Sequence, residues 1–154
     1  MKRMLVPAAL AAAAVLVFAV VNATAKDKPK GEGGSIHVIE HATTDAVTNG
    51  TAGDSAGNIL TFANDVYDAA DAHKIGSDQG YCVRTVVGAA WECNWTTFLP
   101  GGQITVEGPF SDTGDTVVAV TGGTGAYRNT RGSMQLIYHN PAGTEFDFVF
   151  NLVG

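Results

Sequence analysis

The sequence predicts an all-β fold, an eight-stranded antiparallel closed barrel. Three observations carry that reading. Beyond residue 25, no stretch repeats its apolar residues every 3.6 positions. Short runs instead alternate apolar with polar side chains, and turn residues interrupt them at about the 8 to 12 residue spacing of a sandwich or barrel. Residues 80–98 gather both cysteines and both tryptophans into one hairpin. A closed barrel is preferred to a sandwich because it leaves no strand edge unpaired. At eight strands its interior is either just filled by side chains or holds one small ligand.

Lys2 and Arg3 precede an apolar run over residues 5–21, and Ala23, Thr24 and Ala25 offer small side chains for cleavage. Residues 1–25 therefore read as a secretory signal peptide, which makes the protein secreted. A retained anchor is the competing reading, since the run is about as long as the shortest spanning helix. Residues 26–34, KDKPKGEGG, are charged and lack an apolar pattern, as a flexible leader does. Residues 35–154 then form the barrel domain. Without Lys2 and Arg3, seven basic residues face fifteen acidic ones. That balance argues against nucleic acid, and against a membrane surface once the signal peptide is gone.

Residues 35–42 form the first expected strand, with Ile36, Val38 and Glu40 on one face and His37, Ile39 and His41 on the other. Residues 43–58 read as a loop, 58–67 as a second strand carrying Phe62 and Asn64, and 68–76 as a connection. In the hairpin, a two-residue turn at Val87 and Gly88 would oppose Val86 to Ala89, Arg84 to Trp91 and Cys82 to Cys93. Cys82, Arg84, Trp91, Cys93 and Trp95 then share one face. In an oxidising compartment the two opposed cysteines form a disulfide. Strands follow over residues 103–110, with Phe110 inward, and over 115–121. A glycine corner is expected at 122–125, then strands over 132–139 and 144–152.

Several runs resemble the allene oxide cyclase and dirigent superfamily: Phe62 with Asn64, KIG at 74–76, GYC at 80–82, WEC at 91–93, VEGP at 106–109 and AVTGGTGAY at 119–127, followed by Arg131-Gly132. The resemblance implies an eight-stranded barrel, often a homotrimer, whose apolar cavity shapes a small lipophilic molecule without a cofactor. It implies a cofactor-independent isomerase or cyclase, or a non-catalytic dirigent-like carrier. It places a catalytic glutamate on Glu40, a cavity asparagine on Asn64, the cavity cysteine on Cys82 and cavity aromatics on Trp91 and Phe110. Departures are Ala42 where an asparagine is expected, Phe110 where a tyrosine is, and the additional Cys93.

Glu40, Arg84 and Asn64 are the candidate catalytic residues, with Phe62, Trp91, Trp95 and Phe110 as ligand-binding walls. An inward Glu40 and Arg84 are expected to pair with each other or with one ligand, because an unpaired buried charge is costly. A structural ion pair would look the same from the sequence, and the aromatics would serve equally as core. No metal site is expected: His37 and His41 lie about 13 Å apart along a strand, too far to share one ion. Asp65, Asp68, Asp71 and His73 lack the glycine of a calcium loop.

Overall fold

The computed structural model describes residues 34–153. The expected signal peptide, and all of the leader but Gly34, lie outside the described residues. In chain order the strands are β1 (Ser35–His41), β2 (Ala46–Asn49), β3 (Ile59–Phe62), β4 (Asp65–Asp68), β5 (Lys74–Val86), β6 (Ala90–Leu99), β7 (Gly102–Ser111), β8 (Thr116–Gly125), β9 (Arg131–Tyr138) and β10 (Glu145–Val153). There is no helix among the described residues.

Eight strands close a ring. β4 through β10, without a crossover, pair as antiparallel neighbours, and β1 joins β10 to β4. β3 continues along β5 beyond β4, and β2 is added to its free side. The expected eight-stranded antiparallel barrel is therefore present, with two additional strands.

Alternation sets what faces inward. On β10 Phe146, Phe148 and Phe150 are buried, and on β6 Trp91, Cys93, Trp95, Thr97 and Leu99 are. Ile104 and Val106 of β7, Val118 and Val120 of β8 and Met134 and Leu136 of β9 complete one continuous core.

Four expectations are corrected. The second strand, over 58–67, is two, because past Phe62 the outer edge changes partner from β2 to β1. Its pairing with β5 nevertheless keeps one register, from Phe62 opposite Gly80 to Asp65 opposite Ser77. The loop over 43–58 contains β2, and its far end is held by Asn58, whose side chain bonds Thr51 and Gly53. The hairpin turn has three residues and not two, so Val86 pairs with Ala90, while Arg84 with Trp91 and Cys82 with Cys93 stand as expected. Finally, the glycines over 122–125 belong to β8 rather than to a corner. The following turn folds back on them: a Cβ on Gly123 would lie 2.5 Å from the Tyr127 carbonyl oxygen.

Candidate functional site

The inward faces leave a cavity of about 50 Å³. A buried site needs about 10 to 15 Å³ by this measure to hold a water, so a few waters or one small ring fits. Phe62, Trp91, Trp95 and Phe110 all line it, together with Leu60, Leu136, Phe146 and Phe148. The rings meet edge-on or tilted, Phe110 lying 5.7 Å from Phe146 and Trp95 5.8 Å from Phe148. Gly80 stands opposite Trp95 across the β5–β6 pair and leaves no room for a side chain of its own, which lets the indole take the space above it. Cys82 and Cys93 are bridged, and the disulfide forms part of the wall, so the cavity contains no thiol.

One end of the cavity is acidic. Glu40, 5% exposed, reaches it from β1, and Asp45 from the loop that follows. Asn64, just before β4, ties the two together: its amide nitrogen donates to Glu40 Oε1 at 2.8 Å and to Asp45 Oδ1 at 2.7 Å. Its carbonyl oxygen accepts from the Thr43 and Thr44 amides and from Thr44 Oγ1. Behind Glu40 stands Asp78 of β5, 1% exposed, within hydrogen-bonding reach of it. Two carboxyls bond each other only when one keeps a proton. Asp78 Oδ2 is buried and has no hydrogen-bond partner, a setting that disfavours its charge. Burial pushes Asp78 up to about 10, helped by the charge of Glu40. Burial also pushes Glu40 up to about 7, against the opposing hydrogen bond from Asn64.

Arg84 faces inward as the alternation requires, but it does not pair with Glu40. Its Nε lies 2.6 Å from Asp54 Oδ1 and its Nη1 2.6 Å from Asp112 Oδ2. The guanidinium lies over the Trp91 ring, 3.9 Å from its centre, and Trp91 Nε1 donates to the other oxygen of Asp112. The reason is position along the strand. Register sets Glu40 opposite Val66, and Val66 opposite Gly76, early in β5, whereas Arg84 lies near the hairpin tip. There it meets the 50–58 loop and the turn after β7. Two carboxylates and an aromatic face compensate the buried cation.

The histidines turn outward. Asp147 accepts from His37 at 2.6 Å and His139 at 3.0 Å, and His73 pairs with Asp68. His41 bonds Asp71 at 2.7 Å and stacks on Tyr67. With Glu145 these two bring three possible ligand atoms within 4.8 Å of one another, a grouping that His37 does not share. Sequence reasoning missed Asp45, Asp54, Asp78 and Asp112. For Asp78 the signal was available, since alternation carried back from Cys82 through Gly80 puts it inward.

No family model and no curated protein matches the chain. Solved structures do. A pyocyanin demethylase superposes with a TM-score of 0.62 at 22% identity, covering 75% of this chain and 99% of its own. The pterocarpan synthase dirigent protein PsPTS1 gives 0.64 at 14% identity, covering 79% and 93%. The fold is that of the dirigent-like barrels. AbnU, an exo-specific intermolecular Diels-Alderase, gives 0.64 at 19% identity over 80% of this chain and all of its own. At these identities the shared barrel is the finding, and it agrees with the resemblance read from the sequence.

Proposed function

We propose that the barrel binds a small lipophilic molecule in its cavity and guides a cofactor-free cyclisation or isomerisation of it. The observation that carries this reading is a buried carboxyl, Glu40, facing an aromatic-walled cavity with a pKa near the working range of a general acid or base. The walls would hold the reactant in a reactive shape, and Glu40 would stabilise developing positive charge or move a proton. Asn64 would fix the carboxyl's orientation. Arg84 would act as a positioning residue, because it locks Trp91 through Asp112. Neighbouring barrels described as a pterocarpan synthase dirigent protein and a Diels-Alderase favour ring-forming chemistry over hydrolysis.

A carrier without catalysis is the second reading, favoured by the disulfide that seals the cavity's sulfur. Either way, export behind a cleaved signal peptide agrees with a bridged cysteine pair. Native mass spectrometry of protein taken from its own culture medium would identify a copurifying molecule. Glu40→Gln should retain that molecule and lose at least about 100-fold in its turnover, the range of general acid–base catalysis. Binding without turnover in either protein would establish the carrier, and an empty cavity in the native material would count against both.

A further inference from the structure

Trp95 lines the cavity from β6 and is 3% exposed. Its indole Nε1 is buried and has no hydrogen-bond partner. An indole N–H in a protein interior ordinarily finds an acceptor, because leaving it unpaired costs the full desolvation of the donor. Trp91, in the same wall, shows the usual arrangement, since its Nε1 donates to Asp112 Oδ1 at 3.1 Å. The side chains around Trp95 supply nothing comparable. Its ring neighbours Phe62 and Phe148 carry no polar atom, and Gly80, directly opposite, has no side chain.

The rest of the lining restricts what the missing acceptor can be. Apart from the two indoles, the polar side chains along it are Glu40 and Asp45, both at the acidic end, and the remaining wall is aromatic, aliphatic or disulfide. A water holds its place in a cavity by bonding several polar groups, so this wall suits an apolar body with a single acceptor better than it suits water. Charge narrows the choice further. No lysine or arginine is among the lining residues, so an anionic acceptor would be desolvated beside two carboxyls with no cation to compensate it.

We infer that the cavity takes a small uncharged aromatic molecule bearing a carbonyl or ether oxygen, and that Trp95 Nε1 donates to that oxygen and selects for it. This rests on the cavity reading above and adds the chemical class of the occupant and the residue that recognises it. Phe62, Trp91 and Phe110 hold the flat apolar body, and the indole N–H fixes which way round it lies.

The test titrates three molecules of one shape into the protein at about pH 7: acetophenone, with a carbonyl oxygen; α-methylstyrene, with a methylene in its place; and benzoate, a carboxylate at that pH. Binding is read from the indole N–H signals of Trp91 and Trp95 in nitrogen-15 correlated spectra, the only two tryptophans in the chain. Trp91, already bonded to Asp112, is the internal reference. Acetophenone should move the Trp95 N–H proton further downfield than α-methylstyrene does, and bind about tenfold more tightly, the gain from satisfying one buried donor. Benzoate should bind at least about tenfold more weakly than acetophenone. Trp95→Phe keeps a ring and removes the donor, so it should bring the Kd values of the two neutral molecules within about twofold of each other, whereas a merely structural role would weaken both alike. In the parent protein, α-methylstyrene or benzoate bound as tightly as acetophenone overturns the inference and leaves the cavity reading intact, whether or not the variant folds. If none of the three shifts an indole signal, the cavity reading falls and takes the inference with it.

Discussion

Asn64 commits every polar atom of its side chain: the carbonyl oxygen to Thr43 and Thr44, the amide hydrogens to Glu40 and Asp45. It is 1% exposed, so water cannot replace what it supplies. Truncation would strand two backbone amides and leave two carboxyls without their donor. Asn64→Ala should therefore cost about 3 kcal/mol, at the upper end of the penalty for orphaned buried polar groups. Urea unfolding measures it, and a midpoint unchanged within error would mean the loop over 43–45 rearranges to solvent. Asn64→Asp should be worse at pH 8 than at pH 5, because it adds a fourth carboxyl to Glu40, Asp45 and Asp78, which pair with no lysine or arginine among the described residues. The same residues mark the limit of the sequence. Alternation placed Glu40 and Arg84 on the inward face, as found, but a period of two says nothing of height along the barrel. Glu40 lies level with the start of β5 and Arg84 near its end, so a pair that looks obligatory on paper finds separate partners.

At the scale of the element, the β5–β6 hairpin combines a covalent clasp with the cavity's largest side chains. Cys82 and Cys93 are directly opposed, with Cα atoms 4.0 Å apart and a sequence separation of 11. Closing so short a loop in the unfolded chain contributes about 3 kcal/mol on the chain-entropy model. The double variant Cys82→Ala, Cys93→Ala should lose about that much in guanidinium unfolding, and should also open the cavity wall where the sulfurs stand. A loss well under about 1 kcal/mol would show that the ladder alone closes the hairpin. This element was the most legible part of the chain, because its register follows from local geometry and both cysteines test it. The split between β3 and β4 was not legible. It depends on which strand approaches from the outer edge, a tertiary fact that leaves no mark in the run from Asn58 to Tyr67.

For the whole molecule, the buried acid pair ties stability to pH. The folded pKa values of Asp78 and Glu40 lie above their unfolded ones, at about 10 against 3.8 and about 7 against 4.5. Between those limits the folded state holds more protons than the unfolded one, so stability falls as pH rises. The contribution is fully present below about pH 4, starts to decline above it, and is lost as pH passes through the folded values. Asp147 has the opposite sign. Its carboxyl is held below the usual range by His37 and His139, so its contribution is lost as pH falls through its lowered value. The balance places the stability optimum in mildly acid solution, unlike that of a protein whose carboxylates all face cations. Asp78→Asn isolates the effect, since an amide can still donate to Glu40 but has no proton to lose. Its Tm should match the parent's within about 2 °C at pH 5 and exceed it by about 3 °C or more at pH 9. Melting curves across that range decide the matter. Parallel Tm profiles for the two proteins would mean that Asp78 is already ionised in the folded barrel at pH 5, and that the shared proton does not exist.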